Sequence, residues 1–559
     1  MAVCTTTYLE ETLPCLPTTF PPLCAQAGTS SGSGSPRRSA IGFLRRHVQH
    51  AVGAVTATLS LAGALVLGAP GTALAAPPDV SAAISVDVFS TDPTKFFAAN
   101  DYLLMANVYE SLYGHDEKGN LIPTLATAVE VKDDGLTYEF TLRPNVKFHN
   151  GNAFTAEDVR FSWQKATDPV RKWSRAQVLV ANIADVEILS PMKVRIKLKK
   201  RDAGMMENLD TNFYILNKKH VEAVGDEVFG DNPMGTGAFK FKERKIKEYI
   251  VLEGYTGYWG KAPDIGKLTL RMVTDESTRL AQLQSGEVDL VDNVSPFLAV
   301  RMKGVQNLKV IQAPTLRNMY VMMNATGKNE RMKNEEVRRV FMTMVDTEKL
   351  TKSVYLGFAA PAKLNCGPGG TGCMGTPSPR IDAAQAKAAL TKAGFDFSKP
   401  LNFVGMASGF IPQTRELVEA LAQRFSEAGV QTKITLLEYA TWVQAEQAKS
   451  PDVDMIFCMF PDYSKEPSGR LQRGMRSGSM FSWYEDPALD AMIDKMNDFT
   501  DVPAREKHIS GIYQRINDKA AIIPLWATDT IFVARNTVQW VPTPNATWPV
   551  FKNLKKTGK

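Results

Sequence analysis

Between Leu136 and Leu142 apolar and polar residues alternate, with Tyr138, Phe140 and Leu142 on one side and Thr137, Glu139 and Thr141 on the other. That two-residue period predicts a half-buried strand. Arg143-Pro144-Asn145 and His149-Asn150-Gly151 then predict turns, because proline pre-sets φ and Asn-Gly tolerates positive φ. Thr155 follows as a helix N-cap, with Asp158 at the capping-box position and Phe154 placed to staple onto Val159. The stretch from Gly135 to Trp163 therefore reads as a tightly punctuated piece of a mixed α/β domain.

Strand and helix patterns alternate further along without a repeat period, which argues for α/β or α+β architecture and against a solenoid. Amphipathic spacing predicts helices at 280–285, 335–346, 383–393 and 413–428. "KAGF" at Lys392 and "EAGV" at Glu427 each end a helix in glycine ahead of a strand, so the second half reads as its own α/β lobe. The apolar run "DMIFCMF" predicts a strand from Met455 to Phe460 in which Cys458 is a buried small hydrophobe.

The segment 51–78 carries no charge, follows the basic pair Arg45-Arg46 and leads to Ala73-Leu74-Ala75, an A-x-A cleavage pattern. A secretory signal peptide over 37–75 is expected; the rival is a membrane anchor, but Gly63, Gly68, Pro70 and Gly71 shorten its strongly apolar part. Arg37-Arg38 and Arg45-Arg46 lack a full twin-arginine motif, so the general secretory route is preferred. Residues 1–36, rich in Thr, Ser, Gly and Pro, are expected to be a disordered extension or an early assigned start. No cysteine follows the apolar region closely enough for lipid anchoring, and a freely diffusing periplasmic protein is expected.

With 559 residues the chain has room for two or more domains. Its formal charge is +6, falling to +4 without the four arginines and two glutamates of residues 1–75, which is no footprint for nucleic acid. Cys366 and Cys373 lie in the glycine-rich "NCGPGGTGCMG"; in an oxidising compartment a disulfide is expected there, over a metal site that would need further ligands. After residue 75 there is no G-x-S-x-G, H-E-x-x-H or Walker motif, and His115, His149, His220 and His508 are scattered. His149 reads as a structural hydrogen-bonding residue, and "GTG" at Gly235–Gly237 as a tight turn. No catalytic group, metal or cofactor is expected.

Several stretches resemble the extracytoplasmic solute-binding proteins of the peptide/nickel family (family 5) of ABC importers, including its oligopeptide- and dipeptide-binding members. "GLTYEFTLRPNVKFHNGNAFTAEDVRFSW" is similar to that family's "DGLTYTFxLRxGVKFHDGxPFTAEDVxFS". "LIPTLATAVEV", "NPMGTGAFKF", "YWGKAPDIGKLTLRMVTDESTRLAQLQSGEVDL", "NEEVRRVFMTMVD", "IDAAQAKAALTKAGF" and "IIPLW" resemble other family motifs in the family's order. The resemblance implies an α/β, two-lobe periplasmic-binding-protein fold (type 2, Venus-flytrap) with an extra subdomain in the first lobe. Mapped here, the first lobe is 77–312 with a C-terminal return at 527–559, and the second is 313–526.

It also implies a monomeric receptor, not an enzyme, that captures short peptides between its lobes and delivers them to membrane permease subunits. Nickel chelates, glutathione, opines and oligosaccharides are alternative cargoes; a secreted hydrolase on the same fold is the alternative of another class. In "DMIFCMFPDYSKEPSG", Asp462-Tyr463 follow an apolar strand, as does the family's acid that pairs with a ligand's α-amino group, although Pro467 falls five residues after Asp462 where the family pattern has four. A charge-assisted bond of that kind contributes about 1.5–3 kcal/mol. Asn293, Tyr320, Phe89 and Ser90 match other cleft positions, and Tyr439, Trp442 and Trp483 are candidates for side-chain pockets.

Overall fold

The structure, a computed structural model, describes residues 76–558 apart from 96–98, 170–179, 328, 368, 408–410, 412, 462–464, 500 and 544–548. The expected extension and signal peptide lie outside the described residues. No helix among the described residues is long and apolar enough to cross a membrane.

The alternating stretch forms the strand Thr137–Leu142, central in a four-stranded antiparallel sheet with Ala126–Lys132, Lys193–Leu198 and Ile183–Ser190. Its apolar face enters the core as expected, but its polar face is open only at Thr141. Glu139 is 3% exposed beneath the long stems of flanking cations. Arg195 donates to it through Nη2 and Nε at 2.6 and 2.9 Å, and Lys132 and Lys193 approach at 2.8 and 2.9 Å. Hydrogen bonds from Lys132, Lys193 and Arg195 hold the Glu139 carboxyl down at about 2. The following helix is Ala156–Thr167, with the reciprocal Thr155/Asp158 capping box and with Phe154 and Val159 both buried.

His149 is buried and joins the two turns: its Nε2 lies 2.9 Å from the Gly237 carbonyl, and the Gly235 N–H lies 3.4 Å from its Nδ1. Burial pushes its pKa down to about 4, so the ring is a neutral strut. Gly237 is required because a Cβ there would come within 2.7 Å of the Asn107 carbonyl.

His115 behaves oppositely. Burial alone would lower its pKa, but hydrogen bonds to Asp210 at 2.6 Å and Glu207 at 3.0 Å outweigh it and hold the imidazolium up to about 10. A raised folded pKa gives stability that is complete below the unfolded value near ~6.5 and is lost as pH climbs through about 10. Urea midpoints measured between those limits should fall with rising pH, and His115→Gln should flatten that slope; an equal slope in the variant would contradict the assignment.

Among the described residues the main sheet has eleven strands. Its order is Thr432–Leu437, Leu401–Met406, Met455–Pro461, Leu308–Met323, Ile522–Arg535, Leu290–Val291, Val80–Ile84, Lys267–Met272, Tyr249–Gly254 and Phe239–Lys245, with Ala359–Pro361 also pairing on Ile522–Arg535. Leu308–Met323 and Ile522–Arg535 are long antiparallel partners that run through its middle. Their register breaks between Pro314, opposite Asp529, and Asn318, opposite Ala527. Thr315, Leu316 and Arg317 thus bulge opposite Thr528.

On one side of this break lies a core built from residues between Val80 and Ala313 together with Phe532–Leu554. On the other lies a core from Met319 to Trp526. A smaller cluster, including Ala83, Leu283, Val291, Phe358 and Val533, packs nearby.

The predicted helices appear as Glu276–Ser285, Glu335–Thr343, Ala383–Lys392 and Thr414–Glu427. The first starts earlier than its apolar spacing suggests because Asp275 caps it, accepting from the Thr278 N–H at 2.7 Å. The expected apolar strand is Met455–Pro461, and Cys458 is fully buried with its thiol 3.3 Å from Glu446. Burial pushes the Cys458 thiol well up and raises Glu446 to about 7.

Candidate functional site at the crossing strands

Strand direction locates the site. In the first half, Val80–Ile84 runs parallel to Lys267–Met272 and Leu290–Val291. In the second half, Leu401–Met406 runs parallel to Thr432–Leu437 and Met455–Pro461. Leu290–Val291 is antiparallel to Ile522–Arg535, and Met455–Pro461 is antiparallel to Leu308–Met323. The carboxyl ends of both parallel sets therefore point at the register break from opposite sides, and the crevice outside such ends is where open α/β sheets bind ligands.

A narrow crevice opens there, its walls including Asn293, Arg317, Tyr355, Thr528, Asp529 and Ile531. Asn293 comes from the end of Leu290–Val291 with φ 48°. Its carbonyl accepts from Arg279 Nη2 at 3.4 Å, while Arg279 Nη1 donates to the carbonyls of Val273 and Thr274 at 2.8 and 2.9 Å. Asp292 accepts the Ser85 N–H at 2.8 Å and hydroxyl at 3.2 Å, which ties together the ends of two parallel strands. Burial raises the Asp292 carboxyl to about 6, against the opposing pull of Arg279 and Ser85.

Arg317 and Thr528 come from the bulge and the residue it faces. Asp529 is raised by burial and pulled back by its hydrogen bond from Gln312. Tyr355 sits where the second core meets the crossing strands, its hydroxyl pushed well up by burial against the opposing effects of Trp526 and Arg317.

The other sequence candidates divide into three groups. Phe89, 72% exposed, and Ser90 lie beyond the end of Val80–Ile84, where both backbone N–H groups donate to Asp101 Oδ1 at 2.6 and 3.1 Å. Tyr439 is exposed at the start of the helix that follows Thr432–Leu437, its ring stacked at 6.0 Å on Trp442. Trp442, Trp483 and Tyr320 are buried in the second core; the two indoles donate to the carbonyls of Phe457 and Glu446 at 3.0 and 2.7 Å. Asp462 and Tyr463 lie outside the described residues.

Arg317, Tyr355, Thr528 and Asp529 escaped the sequence reading. A signal was present in Pro314: a proline within a strand run marks a bulge. The expected disulfide is present between Cys366 and Cys373, with Cα atoms 5.7 Å apart. Its loop lies close to the crossing strands, since a Cβ on Gly367 would meet Asn318 Oδ1 at 3.3 Å, and the Thr371 N–H donates to the Lys465 carbonyl at 3.0 Å. Among the described residues no group of three or more His, Cys, Asp or Glu side chains could hold a metal ion.

The two cores also touch away from the crossing strands. Arg201 Nη1 donates to the Asp498 carbonyl at 2.8 Å. At Gly204 a Cβ would fall 2.5 Å from Glu466 Cγ. Glu466 is held by a bidentate pair with Arg505, at 2.6 and 2.8 Å, and both side chains are buried.

The profile of the bacterial extracellular solute-binding proteins, family 5, matches residues 120–478, and the chain belongs to that family. The glutathione-binding protein GsiB of Salmonella typhimurium is 29% identical over 389 residues, which span 68% of this chain and 74% of the relative. The structure also resembles a dipeptide-binding protein of Pseudoalteromonas sp. SM9913 in complex with Met-Leu, at 20% identity and TM-score 0.74, and NikA of Brucella suis in complex with Fe(III)-EDTA, at 22% and 0.78. Each comparison covers 86% of this chain and 100% of the other. The fold is the two-lobe α/β fold of periplasmic binding proteins. The protein is a substrate-binding component of an ABC importer, working with permease subunits, in a family of extracytoplasmic transport proteins rather than enzymes.

Proposed function

We propose that the protein captures short peptides in the crevice at the crossing strands. The lobes in this reading are 77–312 with 527–559, and 313–526, and the mature chain is released after cleavage of a leader over 37–75. What carries the reading is the convergence of both sets of parallel strand ends on one cavity whose walls bear charges of both signs. Peptides offer such a site a backbone and two charged termini. Phe89, Ser90, Asn293 and Tyr439 form its rim, while Tyr320, Trp442 and Trp483 stiffen the second wall from behind. An acid of the crevice takes the terminal ammonium, and Asp462 is the candidate suggested by the sequence.

Glutathione, itself a small peptide, is a second reading favoured by the GsiB relatives. Mass spectrometry of ligands recovered from the purified protein, and of a tryptic digest passed over it, tests both. Intact short peptides are expected. Recovery of glutathione alone selects the second reading, whereas a metal chelate or sugar alone, or cleaved peptides, overturns both.

A further inference from the structure

The second place where the two cores meet uses no strand of the main sheet. One side is the turn 200–204, which leads from Lys193–Leu198 into the helix Met205–Asn212. The other carries Glu466, Ser468, Asp498 and Arg505. Arg201 is the attractive arm: it pairs with the Asp134 carboxylate, donates from Nε to the Asp134 carbonyl at 2.7 Å, and reaches across to the Asp498 carbonyl. Beside it two carboxyl groups flank Gly204. Asp202 accepts the Gly204 N–H at 2.9 Å and the Asn208 amide at 3.3 Å, while a Cβ on Gly204 would lie 3.2 Å from the Glu466 carboxyl carbon.

Charge across this contact does not balance. Arg505 directs both terminal nitrogens to Glu466 and its Nε to the Met496 carbonyl. Both hydrogen-bond donors to the Asp202 carboxyl are neutral and come from its own side. Burial raises the Asp202 carboxyl and the Glu466 charge adds to that, against the Gly204 N–H, the Asn208 amide and a smaller pull from Arg505. Tyr138 faces Asp202 from the four-stranded sheet, its hydroxyl raised by burial and then by that carboxylate. Lys200 faces Asp494, whose carboxyl is held down mainly by its hydrogen bonds from Arg476.

We propose that this contact is a proton-sensitive clasp, formed as the two bodies swing together about the crossing strands, with Asp202 taking up a proton as it forms. The strands join the bodies, so rotation about them changes the separation of surfaces that lie off the strands. Parting rehydrates Asp202 and removes Glu466 from its side, which returns its pKa toward the ordinary value near ~3.9. A carboxyl whose pKa is higher in the clasped form binds its proton more tightly there. The clasp therefore strengthens as pH falls through that raised value, is at full strength below ~3.9, and is weakest at neutral pH and above. Cargo held by closure is then retained more firmly in acid and released more readily as pH rises. Nothing in this depends on which cargo is captured, so the clasp and the peptide reading stand or fall separately.

Small-angle scattering of the full-length protein without added ligand, fitted as a mixture of wide and compact envelopes from about pH 4.5 to about pH 8, tests the clasp. The odds of the compact form should rise about fivefold or more toward the acid end. Asp292 and Glu446, at about 6 and about 7, titrate in the same interval, so the effect is read as the difference made by Asp202→Asn. That change keeps an acceptor for the Gly204 N–H and removes the charge; it should make the compact form about fivefold or more commoner near pH 8 and leave the acid end unchanged. If Asp202→Asn does not fold, Asp202→Ser, which also offers a short acceptor, replaces it. In a Glu466→Gln background Asp202 faces the Arg505 cation without the Glu466 anion, so Asp202→Asn should there favour the wide form instead. The clasp is overturned if the wild type shows no pH trend, if Asp202→Asn leaves that trend unaltered, or if its effect keeps the same sign in the Glu466→Gln background. Should Glu466→Gln not fold, the first two outcomes decide.

Discussion

Arg505→Leu should lower the unfolding free energy by about 3–5 kcal/mol, the cost of stranding one member of a buried ion pair. Arg505 grips Glu466 through both terminal nitrogens and also donates from Nε to the Met496 carbonyl at 3.0 Å. Asp202 stands close enough that the Glu466 charge raises its pKa, after the larger effect of burial, while Arg505 lowers it. Removing the guanidinium leaves the buried Glu466 carboxylate without the Arg505 cation and near enough to Asp202 for the two charges to repel. The deficit should shrink at low pH as the carboxyls protonate, and Arg505→Leu combined with Glu466→Gln should recover most of it. Urea denaturation of the three proteins at neutral and acidic pH measures this; a loss below 1 kcal/mol would show the pair to be solvated.

Gly204→Val should weaken ligand capture by roughly 5–150-fold. The position follows the four-stranded sheet in the chain, and an added Cβ would collide with Glu466 Cγ at 2.5 Å. Glu466 cannot swing aside without breaking its two bonds to Arg505. Overpacking of this kind costs about 1–3 kcal/mol. Closure that presses these surfaces together would place the penalty on the closed form and subtract it from binding. Small-angle scattering should show a wider average envelope for the variant with ligand present, and calorimetry the weaker affinity. An unchanged dissociation constant would mean that closure does not press these surfaces together.

Local order was plainly written in the chain. The alternation at 136–142, the Thr155/Asp158 capping box and the glycine stops at Gly394 and Gly429 each act within a few residues, and they appear where those signals stand. Helix ends moved by up to a turn where a cap, as at Asp275, outranked the apolar spacing.

Burial across elements was harder to see. Glu139 looked like a solvent-facing residue because the cations that cover it come from neighbouring strands. Aromatic residues were ambiguous for a similar reason: Trp442 and Trp483 satisfy their N–H groups on distant carbonyls, a partnership invisible in composition. The site itself depends on a register between residues more than 200 apart, Pro314 on Asp529 and Asn318 on Ala527. Asn293 could be chosen by motif, but Arg317 becomes meaningful only once the bulge sets it on the same crevice wall as Thr528 and Asp529.

The first core contains Phe532, Trp540, Phe551 and Leu554 alongside residues from Val80 onward. A ribosome making this chain must finish nearly all of it before that core can be completed, since the closing strand is among the last pieces to emerge. At synthesis rates of about 5–20 residues per second, the early segments wait on the order of tens of seconds as an unfinished body. For an extracytoplasmic protein such delay is useful: a nascent chain that cannot lock prematurely stays threadable for translocation, and its final knot of tertiary structure is tied only after the tail arrives.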